Sequence, residues 1–578
     1  MTPLVENPPE RAAGVPLGGP NIPRKLTIVC AFLIGGALWA AFPTAGLWPL
    51  GIVAVALVWI ATGRDHAGWN FLVLFIAGLV FALPHVRWAY YATDSVPWYA
   101  LSLLVALGFG VFGAVWTWAK RLPWVRDRLW AHLLAFATLW VAVEQWRSEF
   151  PFGGFPWGRL AWTVSNAPTG RAAWLGGTPF VSFLLAGAGV LLLVAFFFLL
   201  EAKFRTDVEH AHRWGKMWQG LTCVGIATVA VFGPALLPLP SGGDGAEADN
   251  LAFSYFVHAD TGVAEAGVLR VGLVQGDSFD ADGNTGRQIV LENHLAVTGQ
   301  LAEDMAWLRE VASPDVGLDV VWWPENSADF DPQVSPVVAS WLDEAVAAVG
   351  APILVGAMEW PEYGGRYNVL LLWQAGEGVI SRYAKQLPAP FGEYIPLRNV
   401  ARLLSDQVDR VQNDMWAATN PPLIHLPVAR LNRDVPIGTA ICFEVAYDRI
   451  LRDATRLGAE VLVVPTNNAS FGWTPQSLQQ LQMTQLQAIA NGRATVQIST
   501  VGVSAVIAPD GTIVWQSGLF ESAWTAANLP LRTTLTPATL LGYWPSWLFS
   551  GAGALLALGG VATRWVRNRA ESCPHAAG

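Results

Sequence analysis

Of the four cysteines, only Cys442 lies in the polar stretch 241–535; Cys30 and Cys223 fall in apolar runs and Cys573 in the C-terminal tail. Cys442 closes the apolar run V-P-I-G-T-A-I-C and is followed by Phe443, Glu444 and a helix-forming segment. A thiol at a strand end just before a helix is exposed and lies near backbone N–H donors, as a nucleophile requires. A free thiol is mostly protonated at neutral pH, so a base must take its proton. V-V-W-W-P-E-N places Glu325 at the end of another apolar run, and S-R-Y-A-K places Lys385 after a third, with Glu393 eight residues on. Glu325, desolvated behind two tryptophans, suits a base of raised pKa. Lys385 suits an oxyanion donor beside the backbone N–H of Phe443, with Glu393 holding the ammonium protonated and oriented. The plainer readings are a structural ion pair for Glu325 and Lys385, and buried filler for Cys442. His425 is the nearest histidine to Cys442, so a Cys–His pair is disfavoured. With no C-x-x-C and no clustered histidines, no metal site is expected.

For these groups to meet, strand ends must converge on one rim, as they do in α/β sheets. Alternation and apolar runs predict strands at 268–275, 319–324, 352–359, 367–373, 378–383, 436–442, 460–465 and 495–500. A hairpin is expected over 504–516, turning at Asp510-Gly511, and helices at 286–312, 335–349, 446–457 and 475–491. The class is α/β with a largely buried sheet.

This block sits inside a different kind of chain. Of 578 residues, 53% are hydrophobic and 14% charged, well below the roughly 25% of soluble domains. Residues 241–535 carry a net −17, whereas the remainder carries +8. So acidic a block argues against nucleic-acid binding. Apolar runs near the roughly 20 residues needed to cross a bilayer occur at 26–43, 45–62, 68–84, 97–118, 129–146, 178–200, 217–238 and 542–563. With the N-terminus in the cytoplasm, fifteen Lys and Arg fall on the inner segments and four on the outer ones. That positive-inside bias places the acidic block outside the cytoplasmic membrane. The expected order is a cytoplasmic tail 1–25, seven spans over 26–240, a linker 241–266, the exported domain 267–535, an eighth span 541–564 and a cytoplasmic tail 565–578. The Pro-rich start and the last residues are expected to be disordered. Glu144, near the end of span five, is either functional or an interfacial carboxylate. The loop P-F-G-G-F-P-W-G at 151–158 suits the membrane interface.

P-E-N at 324–326, Y-A-K at 383–385, P-F-G-E-Y at 390–394 and C-F-E at 442–444 resemble the Glu–Lys–Cys signature of the nitrilase superfamily. Over about 25–565 the whole chain, G-F-P-W at 154–157 included, resembles the bacterial apolipoprotein N-acyltransferase family. The resemblance implies an αββα sandwich beside eight transmembrane helices in the bacterial inner membrane. It gives Glu325 as general base, Lys385 as oxyanion lysine, Cys442 as acylated nucleophile and Glu393 as a second carboxylate, with Phe443, Glu444 and Tyr394 in support. It further implies a phospholipid acyl donor, a diacylglyceryl apolipoprotein acceptor, no cofactor and a monomer. The reaction would be acyl transfer through a thioester to the acceptor's N-terminal amine. Ser470, Gln487 and Ala490 depart from the family pattern, in substrate-contact loops and supporting packing. Two rivals stand beside this reading: a membrane-tethered amidase using water, and a non-catalytic scaffold for a glycolipid synthase.

Overall fold

The computed structural model describes residues 21–204, 210–241, 255–277 and 283–572. The proline-rich start, most of the Gly-rich acidic stretch after 241 and Cys573 lie outside them.

Apolar composition folds the first third into helices. Six helical segments are long and apolar enough to cross a membrane: Arg24–Ala41, Ala67–His85, Ser95–Ala119, Pro168–Phe204, His210–Leu236 and Trp544–Val566. The two other expected spans hold helices of different character. Pro49–Ala61 is apolar but only 13 residues, about 20 Å at 1.5 Å per residue. Leu129–Glu149 buries His132, Glu144 and Arg147 among its apolar residues. The last helix does not stop near 563; it continues through the basic end to Ser572, so the tail expected to be disordered from 565 is helical to that residue.

The acidic block forms two sheets. The first has seven strands: β1 (Val257–His258), β2 (Val268–Gln275), β3 (Val320–Trp322), β4 (Ile353–Glu359), β5 (Tyr367–Gln374), β6 (Gly378–Ala384) and β13 (Ala523–Pro530), in the order β1-β13-β2-β3-β4-β5-β6. The second comprises β7 (Leu423–Val428), β8 (Arg433–Thr439), β9 (Val461–Thr466), β10 (Thr495–Ser499), β11 (Ala505–Ile507) and β12 (Ile513–Gln516), in the order β12-β11-β10-β9-β8-β7. β2, β3 and β4 run parallel, as do β8, β9 and β10. Residues buried on both faces, such as those of β9, explain the near-continuous Val and Leu runs.

The sheets pack face to face. Val271, Trp322, Leu354 and Leu370 of the first meet Ile424, Ile437, Val463 and Val496 of the second in one apolar cluster. Helices Gly283–Val311 and Pro336–Val349 cover the outer face of the first sheet. Asp448–Arg456 and Gln476–Asn491 cover that of the second. This is the expected αββα sandwich. The second helix layer has a further partner: Val445, Leu451, Leu486 and Ile489 share one continuous core with Phe81, Leu160, Val164 and Leu185 of the membrane helices.

Three strands went unforeseen. β7 and β13 were not expected, and β1 lies inside the stretch taken as linker, pairing with β13. His425 lies on β7, the edge strand of the second sheet, and its backbone N–H donates to the Ser381 hydroxyl at 3.0 Å. The strand expected to reach Cys442 ends at Thr439, and residues 442–446 turn tightly instead.

Candidate active site

Glu325 follows β3 and is 3% exposed, behind the fully buried Trp322 and Trp323. Its bend is admitted by Gly356 on β4, where a Cβ would strike the Pro324 carbonyl. One carboxylate oxygen accepts from Asn368 at 2.6 Å and from Lys385 Nζ at 3.2 Å. The other accepts the Asn467 backbone N–H at 2.8 Å. Lys385, one residue past β6 and 1% exposed, also donates to Glu393 at 2.6 Å. The second oxygen of Glu393 takes the Ala389 N–H at 2.6 Å. One ammonium thus bridges two carboxylates.

The thiol joins them from the other sheet. Cys442 is half-buried and opens its turn at φ +53°, a left-handed backbone that side chains rarely adopt. Glu444 holds that turn. Fully buried, it accepts the Ile441 N–H at 2.8 Å, and from the Lys385 side it accepts the N–H groups of Gln386 and Leu387 at 2.7 and 2.9 Å. Tyr383 donates its hydroxyl to the same carboxylate at 2.9 Å. One carboxylate therefore ties the Cys442 turn to the loop carrying Lys385.

Charge and burial set the protonation states. Burial, then the Glu325 carboxylate, pushes the Cys442 thiol up to about 12, against a downward pull from Lys385. The resting sulfur is a thiol. Burial raises Glu325 above the ordinary carboxylate range, and the Lys385 charge offsets this in part. Burial opposes the charge on Lys385, but Glu325 and Glu393 together outweigh it and raise its pKa, so it stays an ammonium. The arrangement is a protonated thiol, a nearby carboxylate with enhanced basicity and a fixed cation: the parts of a nucleophilic acyl transfer. Among the described residues no cluster of His, Cys, Asp or Glu could hold a metal ion.

The supporting residues divide. Glu444 lies in the centre. The Tyr394 hydroxyl donates to the Phe152 carbonyl at 3.3 Å in the membrane loop. The Phe443 ring stacks on Phe155 and Trp157 at centroid distances of 6.2 and 6.1 Å. Tyr447 donates to the Gly153 and Gly154 carbonyls at 3.1 and 3.0 Å. The loop 151–158 is thus clamped onto Phe443, the residue after Cys442. Glu144 is an anchor for that region, accepting the Trp140 indole N–H and the Leu160 N–H at 2.9 and 2.8 Å.

At the departures, Gln487 is buried and donates to the Val445 carbonyl at 3.1 Å and to Asp448 at 3.0 Å, bracing the Cys442 turn. Ser470 is exposed in a short turn, and Ala490 is buried. Asn368 and the Asn467 N–H were missed as partners of Glu325. Asn467 opens the segment N-N-A-S-F-G at 467–472, which contains Ser470, whereas nothing in the sequence around Asn368 marks it.

Comparison with known proteins gives the family. Residues 34–191 match the family described as Apolipoprotein N-acyltransferase N-terminal domain, and residues 270–535 match Carbon-nitrogen hydrolase. The chain is 35% identical over 523 residues to the apolipoprotein N-acyltransferase of Mycolicibacterium smegmatis, covering 88% of this chain and 81% of that one. It is 28% identical over 582 residues to that of Azotobacter vinelandii, covering 96% of each. An amidase from a Nesterenkonia species superposes at a TM-score of 0.34 and 17% identity, over 46% of this chain and 93% of that chain, which adds nothing to the assignment. The chain belongs to the apolipoprotein N-acyltransferase family, acyltransferases of the nitrilase superfamily.

Proposed function

We propose that this chain moves an acyl chain from a membrane phospholipid through a Cys442 thioester to the N-terminal amine of a diacylglyceryl-cysteine lipoprotein. Glu325 takes the thiol proton as sulfur attacks the sn-1 ester carbonyl. Lys385 and the Phe443 N–H hold the oxyanion. On collapse the ester C–O bond breaks, and the lysophospholipid leaves with the proton from Glu325. The acceptor amine then attacks the thioester and gives its proton to Glu325. The C–S bond breaks, the thiol is restored and an amide is released. Glu393 keeps Lys385 charged throughout.

One observation carries the reading: an aromatic loop from the membrane helices stacks on Phe443, beside the nucleophile. A site in that position suits two lipid-anchored substrates, and the aromatic cover suits a thioester that water would hydrolyse. Eight spans, counting Pro49–Ala61 and Leu129–Glu149, fit the same picture. The catalytic domain 267–535 then stands outside the inner membrane, and the protein acts as a monomer. Helix ends support that orientation. Arg121 pairs with Asp65 at the end away from the sheets, whereas Arg159, on the sheet side, is buried against Asp448.

Mass spectrometry of lipoprotein N-termini, from cells with and without the chain, tests the proposal. Triacylated N-termini should vanish with the chain. Persisting triacylation, or release of free fatty acid by the purified protein without amide formation, would replace transferase by hydrolase.

A further inference from the structure

The helix Asp448–Arg456 presents two arginines where the last membrane helix begins. Arg452 is 9% exposed, with its Nη1 donating to the Gly542 carbonyl at 3.1 Å and its guanidinium 4.0 Å from the Tyr543 ring centroid. Its Nε and Nη2 are buried with no hydrogen-bond partner among the described residues. An Asp453 oxygen stands 3.7 Å from Nε, beyond hydrogen-bond reach, and the other Asp453 oxygen takes the Tyr543 hydroxyl at 2.5 Å. Asp448 is already engaged by Thr178, Arg159 and Gln487. Arg456, exposed and one turn on, lies against Gly542, whose φ of +59° and contact with that guanidinium leave no room for a side chain.

Arg452 lines a cleft of about 20 Å³ shared with Gly177, Asp448, Gln487 and Ser546, room for about one oxygen-sized atom, and Arg456 lies outside it, on the far side of Gly542. Buried charged donors without acceptors are destabilising, and a guanidinium edge matches the spacing of phosphate oxygens. The location narrows the source. Gly542 lies two residues before the apolar helix, and Trp544, Trp547 and Leu548 at its start are exposed at 68%, 61% and 67%. Exposed tryptophans at a span's end mark headgroup level.

We propose that Arg452 and Arg456 form a phosphate-ester subsite, apart from Cys442, that takes the phosphodiester of a phospholipid in the leaflet facing the catalytic domain. The lipid would dock the helix following the nucleophile's turn onto the bilayer. The same chemistry would accept free phosphate, so the test has two arms. Full-length protein in neutral detergent is titrated with dioleoyl-phosphatidylglycerol and read by native mass spectrometry, for wild type, Arg452→Gln and Arg456→Gln. Parallel samples receive millimolar inorganic phosphate alone or as competitor. Each substitution should weaken retention of one lipid by about fivefold or more, with phosphate unable to displace it. Displacement by phosphate, with phosphate binding lost in both variants, keeps the subsite and makes the free ion its occupant. Equal lipid and phosphate binding in all three proteins overturns it. Arg456 is exposed, so Arg456→Gln remains informative if Arg452→Gln does not fold. The readout needs no acyl transfer, so its failure is separate from failure of the catalytic proposal.

Discussion

Cys442 cannot act by itself. Its pKa, pushed up to about 12 by burial and the Glu325 charge, leaves almost no thiolate at neutral pH. Cys442→Ser should abolish transfer in a folded protein, and intact-mass analysis should lose a hydroxylamine-sensitive acyl adduct that wild type shows in phospholipid. Lys385→Ala should slow acylation by about 10²-fold or more, the usual effect of removing an oxyanion donor. The sign of the pH dependence follows from Glu325. Below its raised pKa it is protonated and cannot accept the thiol proton, so acylation should rise with pH through an inflection above the ordinary value of about 4.3. Asn368 hydrogen-bonds the charged form at 2.6 Å. Asn368→Ala should therefore move that inflection upward, by roughly one unit; a downward move in the single-turnover pH profile would remove Glu325 as the base. Glu444→Gln puts an amide N–H among donors that need an acceptor. Denaturant titration should show a loss of about 2 kcal/mol, with acylation slowed as the Cys442 turn loosens.

At the scale of elements, the tight turn 442–446, the β6 loop and the membrane loop 151–158 form one unit. Tyr447 and Tyr394 bond the membrane loop, Phe443 stacks on it, and Phe391 meets Phe152 edge-on at 6.0 Å. Phe471 joins through Trp88 at 5.2 Å, whereas Trp473 turns away to pair with Phe520 at 4.6 Å and is 75% exposed. Lipid entry should therefore depend on Trp157 and Phe471, not on Trp473. Trp157→Ala and Phe471→Ala should slow acylation by long-chain phospholipid far more than by a short, soluble ester. Equal slowing of both donors would mean damage to the centre itself.

At the scale of the molecule, the catalytic sandwich is cemented to the membrane helices. One apolar core crosses the boundary, and buried Arg159 reaches Asp448 at 3.3 Å on the helix after the nucleophile. The site is thereby fixed relative to the apolar helices. A membrane-impermeant label should reach single cysteines placed in 283–535 from outside whole cells and should not reach any placed at 121–128. Labelling in the reverse pattern would remove the enzyme's access to exported lipoproteins.

Much of this was legible in the text of the chain because local chemistry dictates it. A thiol, a lysine and carboxylates at the ends of apolar runs mark a rim, since buried strands are continuous in Val, Leu and Ile. Apolar length marks the membrane helices, except where Pro49–Ala61 is short and Leu129–Glu149 buries charge against its neighbours. Other features arose only from tertiary packing. β1 and β13 pair across some 270 residues, a partnership no local pattern encodes. Asn368 became a partner of Glu325 because β5 lies beside β4. Glu444 could be placed next to the nucleophile from the sequence, but its role as acceptor for two separated segments needs the sheets to be stacked. Tertiary structure alone brought a membrane loop near residue 155 onto a nucleophile at 442. Aromatic stacking between distant segments has no period and no spacing along the chain; it exists only once both layers have closed on each other.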